Sequence, residues 1–284
     1  MTIHQLFVIA NVTNAAVVPH LEKLRQWAAA RQLHLYVSHT REEVIRPEAD
    51  LAVALGGDGT FLRAARRVAP LGTPLIGFHI GGLGFLPQLP VNELEPALGE
   101  VLAGRFEIAE RFRLGGDFLD SEGSIRRECS ALNEIVVHPR TGRFTDCELW
   151  CGAQFVAAYP GDGVIVATPS GSTAYSLSAG GPVVEPSLPV ILVTPIASHQ
   201  LAVRPILLGM HPPLRLVARL GAQVIVDGEP MGSLPPGGAL HLGKHSFPTR
   251  LVVLKNQPSF FERLAQKLNW SQLPYRKAAP PSGR

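Results

Sequence analysis

Cysteine is scarce in this 284-residue chain: Cys129, Cys147 and Cys151 are all there are. An odd set of three does not make a paired framework. On a single strand Cys147 and Cys151 would share a face yet stand too far apart to bridge, so three free thiols in a reducing compartment are expected. A long apolar run is missing too. The most hydrophobic stretch, 188–197, is broken by Pro189 and Pro195 and is too short to cross a bilayer. The first residues show no basic leader followed by an apolar core and cleavage site; Leu6–Ala10 reads as a strand, and a soluble, cytoplasmic protein without membrane contact is expected. Nor is charge concentrated anywhere. The formal net charge is +3 and Lys and Arg are scattered rather than striped, which sets nucleic acid aside as a partner. No Gly-x4-Gly-Lys-Ser/Thr loop occurs, excluding P-loop enzymes, and the glycines of 77–86 fail as a dinucleotide fingerprint because Pro87 stands where the third glycine is needed. His241 and His245 are four apart with Gly243 between them, a poor setting for a helical zinc pair, so no protein-held metal is expected.

What is present is material for two cores, with 46% hydrophobic residues. Residues 1–105 alternate strand patterns (Leu6–Ala10, Leu33–Val37, Leu51–Leu55, Pro74–Phe78) with helix patterns (Val18–Arg31, Thr60 to about Ala69, Val91–Ala103). That alternation predicts an α/β domain with a Rossmann-like parallel sheet, ligands lying beyond the carboxyl ends of its strands. Over 106–249 the texture changes to short segments punctuated by Gly, Pro and Asp: Arg126–Ala131, Glu134–His138, Cys147–Cys151, Gln154–Ala158, Val164–Thr168, Val190–Val193, Leu214–Ala218, Gln223–Val226 and Ala239–Leu242. This predicts an all-β second domain, with Asp227-Gly228 as a hairpin turn. Arg250–Lys255 reads as a last strand, Ser259–Leu268 as an amphipathic helix, and 277–284 as a disordered tail.

Chemistry concentrates in two places. Leu51–Leu55 runs into Gly56-Gly57-Asp58-Gly59-Thr60 and then into Phe61, Leu62, Ala65 and Val68 at helical spacing. Glycines let backbone amides approach an anion, and the following helix points its positive end at the same spot. A carboxylate there repels phosphate, so Asp58 is suited to taking a proton or holding a hydroxyl or metal beside it, and phosphoryl transfer is expected. The second place is 161–182, where Asp162 is the only charge. A strand enters a Pro169-Ser170-Gly171 turn and then a small-residue helix carrying Ser172, Thr173, Tyr175, Ser176 and Ser178. So many hydroxyls disfavour an isolated helix. They serve either to grip a hydroxyl-rich ligand such as a nucleotide or to allow close packing at a domain or subunit contact. Asn133-Glu134 could read ribose hydroxyls or an adenine edge, but equally suits a solvated strand start, and Asp227-Gly228-Glu229 reads simply as a turn.

Taken together and in order, the Gly-Gly-Asp-Gly turn, Gly81-Gly-Leu-Gly-Phe-Leu86, Glu110-Arg111, Asn133-Glu134, the 161–182 block, His199 with Arg204-Pro205, and Asp227-Gly228 closely resemble the NAD kinase family. The resemblance runs from Gly56 to Trp270. It implies transfer of the terminal phosphate of ATP, or of inorganic polyphosphate, to the 2′-hydroxyl of the adenosine ribose of NAD, giving NADP, with Mg²⁺ on the donor phosphates. It implies Asp58 as general base with Gly59 beside it and Arg63 facing phosphate. It places Asn133, Glu134, Asp162, Thr173, Ala174, Tyr175, Ser176, Leu177 and Ser178 against NAD, with Ala197 and Glu229 lining the pocket. It also implies that 250–270 packs back onto the first domain and that the protein is a homodimer or homotetramer. Two alternatives stand beside it. A lipid kinase of the diacylglycerol-kinase type shares the glycine turn but leaves the Thr173-Ala174-Tyr175 block unexplained. A non-catalytic NAD-binding sensor would have no use for an intact Asp58.

Overall fold

The computed structural model describes residues 3–38, 49–82, 84–87, 89–120, 122–140 and 144–269; the expected tail at 277–284 lies outside them. The first strands are β1 (Gln5–Ala10), β2 (His34–Ser38), β3 (Leu51–Leu55), β4 (Leu75–His79), the short β5 (Leu89–Pro90) and β6 (Glu107–Arg111). Helices α1 (Val18–Ala29), α2 (Asp58–Val68) and α3 (Leu94–Leu102) alternate with them. There follow β7 (Leu114–Leu119), β8 (Ile125–Ala131), β9 (Glu134–Pro139), β10 (Thr145–Cys151), β11 (Gln154–Gly161) and β12 (Gly163–Ala167). After the four-residue helix α4 (Tyr175–Ser178) come β13 (Val190–Ile196), β14 (Ile206–Gly209), β15 (Leu214–Ala218), β16 (Ala222–Val226), β17 (Glu229–Leu234) and β18 (Gly238–Lys244). The described chain closes with β19 (Thr249–Val253) and α5 (Phe260–Leu268).

β3 is buried along its whole length, as a strand covered on both faces must be. It lies in a seven-stranded sheet of order β2-β1-β3-β4-β19-β6, with β5 beside β4. β1 to β4 run parallel, β19 continues parallel to β4, and β6 is antiparallel to β19. Leu21, Leu24 and Trp27 of α1 and Leu94, Leu98 and Val101 of α3 cover one face with Val8, Leu51 and Val53. Phe61, Ala64, Ala65 and Val68 of α2 cover the other with Phe7, Ile9, Ala52 and Ala54. The α/β half is therefore as expected, but its sheet extends past residue 105 through β6. The return of the last segment is physical: β19 is a sheet member, and Lys267 of α5 sits over the Phe85 ring at 5.6 Å. Ser259 starts α5 with a capping box, its hydroxyl accepting from the Glu262 amide while the Glu262 carboxylate accepts from the Ser259 amide.

The second half is two six-stranded antiparallel sheets, β11-β10-β15-β18-β7-β8 and β14-β13-β12-β9-β16-β17. They pack face to face through Leu114, Phe118, Leu149, Leu216 and Leu240 from one and Ile135, Val137, Val164, Val166 and Val224 from the other. Alternation along β9 sends Val136 to the outer face, where it meets Ile165, Ala167, Val184 and Leu192. After β12, which belongs to this sheet, the rest of the 161–182 block folds over that outer face, with Ala179 packed against it. Cys129, Cys147 and Cys151 are free thiols.

Three local expectations change. α2 begins at Asp58 rather than at Thr60, because Gly57 is extended and its carbonyl accepts from the Thr60 and Phe61 amides. The single small-residue helix expected after Gly171 is instead a 3-10 turn at Ser170–Thr173, a break at Ala174 (φ −99°, ψ −130°) and the short α4. Strands β6, β7, β14 and β17 carry Gly, Pro or alternating charge, which hid them from pattern reading.

Candidate active site

Strand order turns back at β1: β2 lies on one side of it and β3 on the other. Connections after such neighbours leave in opposite directions and open a crevice at their carboxyl ends. A cleft of about 630 Å³ occupies that place, lined by Ala10, Asn11, Val12 and Thr13 after β1, by Gly57, Gly59, Thr60 and Arg63 after β3, and by Glu229 from the second half. Gly57 and Gly59 are exposed there, and a Cβ on either would meet nothing within 4 Å, so their amides are open to a ligand at the start of α2. Gly56 is different: at φ +150° a side chain would drive into Thr60, 2.6 Å from its hydroxyl. The Arg63 guanidinium lies 3.5 Å from the Thr60 hydroxyl on the same rim.

Asp58 is the first residue of α2 and is half-buried. Its carboxylate accepts from the amides of Leu86 (3.1 Å) and Phe85 (3.4 Å). Those residues belong to the 81–86 glycine segment, and a Cβ on Gly84 would collide with the Asp58 carboxylate. The segment is thus a backbone clamp on the acid. Phe85 and Leu86 also line a small cavity with Ser170 and Thr173, which brings the second signature block up to the first.

Asn133 and Glu134 are buried at the start of β9, with Asn133 Oδ1 and Glu134 Oε2 lacking a hydrogen-bond partner. Buried polar atoms without partners are costly, and a donor supplied by a ligand would relieve that cost. The Tyr175 amide donates to the Glu134 carboxyl, yet burial pushes that group up to about 8, with the Asp227 charge adding to the rise. Close approach is built in: the Thr168 amide donates to the Asn133 carbonyl at 2.8 Å, and any Cβ on Gly171 would strike that carbonyl. Tyr175 is exposed, its ring 6.3 Å from His138. His138 in turn reaches the Asp162 carbonyl at 3.0 Å, and exposed Asp162 and Ala197 meet across Gly161, whose Cβ would lie 2.9 Å from the Ala197 carbonyl.

The expected residues therefore fall into connected groups. Gly59, Arg63 and Glu229 share the cleft beside Asp58. Thr173, Ala174 and Tyr175 lie along the loop over Asn133 and Glu134, and Asp162 and Ala197 border it. Leu177 is part-buried and Ser178 exposed on α4. Ser176, expected to face the ligand, is instead fully buried with its hydroxyl 2.8 Å from that of Thr194, because α4 turns that position into the sheet. The cleft loop 10–13, the clamp at 85–86 and the buried pair Arg113–Asp227 were not foreseen. The first follows from any strand end at a switch point; the last was signalled only by a lone arginine between Phe112 and Leu114.

Two family models match, described as the ATP-NAD kinase N-terminal domain over residues 8–106 and the ATP-NAD kinase C-terminal domain over residues 132–254. The NAD kinase of Moorella thermoacetica is 43% identical over 231 residues, covering 80% of this chain and 73% of the relative. The chain belongs to the ATP-NAD kinase family. Family members of known structure share the fold. An NAD kinase from Archaeoglobus fulgidus in complex with ATP superposes with TM-score 0.77 at 27% identity, covering 93% of this chain and 98% of that one. Yeast NADH kinase complexed with NADH gives TM-score 0.82 at 22% identity over 98% and 90% of the two chains, a likeness of fold. Among the described residues of this NAD kinase family member, no helix is long and apolar enough to cross a membrane.

Proposed function

We propose that this chain phosphorylates the 2′-hydroxyl of the adenosine ribose of NAD, giving NADP, with ATP as donor and Asp58 as general base. The observation that carries the reading is the placement of Asp58: a carboxylate clamped by the 85–86 amides, at the start of α2, beside a cleft rimmed by open glycine amides. A ribose hydroxyl is a far weaker acid than any carboxylic acid, whose ordinary pKa is about 4, so it is not ionised in advance. In a loose phosphoryl-transfer transition state the proton leaves late. The carboxylate orients the oxygen and takes the proton as the new bond forms, while the Gly57 and Gly59 amides and Arg63 hold the phosphates. NAD lies with its polar groups on Asn133, Glu134 and Asp162 and along Thr173, Ala174, Tyr175 and Ser178, with Leu177, Ala197 and Glu229 bordering it. The donor would bring a Mg²⁺ with it on its phosphates. Such an ion neutralises phosphate charge. Inorganic polyphosphate offers the same terminal group and is the alternative donor. The reading extends to a homodimer or homotetramer in the cytoplasm, as the family resemblance implies.

The test incubates the protein with ATP, Mg²⁺ and NAD and detects NADP with a dehydrogenase that requires it. A lipid kinase or a non-catalytic NAD sensor yields no NADP in this assay. Replacing ATP by polyphosphate decides the donor. Asp58→Asn should lose about 10²-fold or more in kcat, the scale of general-base catalysis, while NAD binding survives. Near-normal turnover in that variant would remove Asp58 from the mechanism.

A further inference from the structure

Beneath Asn133 and Glu134 lies a charged cluster to which the reaction assigns no part. Arg113 is fully buried, and Asp227 is 6% exposed at the tip of the β16–β17 hairpin. The Asp227 carboxylate accepts from three successive amides: Leu132 at 2.9 Å, Asn133 at 2.8 Å and Glu134 at 3.2 Å. Its own amide donates to the Glu134 carbonyl at 3.0 Å, closing the bracket in the other direction. Arg113 lies 4.0 Å from the same carboxylate and donates to the Ser130 hydroxyl (3.1 Å), the Ser130 carbonyl (2.9 Å) and the Thr249 hydroxyl (3.0 Å). One residue before Asp227, the Val226 carbonyl accepts from Arg66 at 2.9 Å, and Arg66 stands on α2, the helix that begins with Asp58.

A turn residue needs none of this. Asp227 sits at φ +48°, a conformation that aspartate tolerates and glycine adopts more readily, so hairpin geometry alone does not call for its side chain. Burying a carboxylate is costly unless donors hold it, and here three amides donate to it beside the Arg113 guanidinium. Two of the three amides it holds are those of Asn133 and Glu134, whose side chains end in the unpartnered atoms Oδ1 and Oε2.

We infer that Asp227 is a positioning residue for NAD: it fixes the backbone of 132–134 and so aims Asn133 and Glu134, while Arg66 sets that bracket against the helix bearing Asp58. The inference rests on the reading of Asn133 and Glu134 as NAD contacts. Asp227 acts on them both as a scaffold and as a charge, since its negative charge helps hold the Glu134 proton, with Arg113 and Arg66 the cations beside it.

The experiment compares Asp227→Asn with Asn133→Ala in steady-state NAD phosphorylation across pH 6 to 9, each variant first checked for a cooperative melt. Asparagine keeps the size and one acceptor oxygen but loses the charge and the second acceptor. Its KM for NAD is expected to rise roughly tenfold, the effect of about 1.4 kcal/mol, with kcat changed far less. The pH at which KM changes, set by Glu134 near 8, should move down. A variant merely short of folded protein would lose kcat at unchanged KM and leave the pH profile in place, and that result overturns the inference. If Asn133→Ala raises KM and Asp227→Asn does not, the inference fails alone. If neither does, the assignment of Asn133 to NAD fails with it. Should Asp227→Asn not fold, Arg66→Met tests the same tie from α2: a raised KM for NAD supports it, and an unchanged KM overturns it.

Discussion

Of the three aspartates followed by glycine in this sequence, Asp58 and Asp227 are both held by backbone amides, yet their surroundings differ. Asp58 is half-buried, takes two amides and stands between Gly57 and Gly59, which line the cleft. Asp227 is almost wholly buried, takes three amides and faces a guanidinium. Amides steady a carboxylate in both cases. Access decides whether the steadied group can do chemistry or only organise what lies around it.

The sharpest way to break that comparison is to remove both side chains in parallel. Asp58→Ala should leave thermal stability almost untouched. Asp227→Ala strands Arg113 without its counter-charge and leaves three amides without an acceptor, a loss of about 3–5 kcal/mol. Equal melting temperatures for the two variants in a thermal scan would erase the distinction.

Glu134 provides a milder test, because a buried carboxyl should reveal itself through pH. The unfolded chain ionises this group near 4.5, whereas the folded protein keeps the proton up to about 8. Its contribution to stability is therefore full below about 4.5 and is lost as pH rises through 8. Melting temperature should decline by a few degrees over that window, and Glu134→Gln should flatten the decline. A parent profile that is flat, or that matches the variant, would count against a protonated Glu134.

The smallest effect concerns the helix behind the clamp. Ser259→Ala removes a capping box and should cost about 1 kcal/mol. Because α5 carries Lys267 over Phe85, kcat should also fall slightly. A change in melting without any change in kcat would show that α5 stabilises the fold without tuning the clamp.

Much of this was legible in the residues. The Leu51–Leu55 run, its glycine turn and the apolar spacing of 61–68 specified a buried parallel strand and the helix on it, and the site sits at that junction. The Asp227-Gly228 turn was legible as geometry, since a two-residue hairpin wants positive φ at both positions, and they are +48° and +78°. Its role was not legible. Which amides a turn carboxylate will meet depends on a strand ninety-odd residues away, a fact of tertiary packing that local pattern does not encode. The inward turn of Ser176 was not legible for a related reason: after the break at Ala174, the short α4 carries its hydroxyl to that of Thr194 on β13.

The strands leading into and out of the sandwich, β6 and β19, are neighbours, with Arg111 opposite Thr249. The whole all-β half is thus spliced into the parallel half through one narrow doorway, with Arg113 at the threshold bonding to Thr249. A module whose two ends lie side by side can be exchanged as a cassette without rerouting its host.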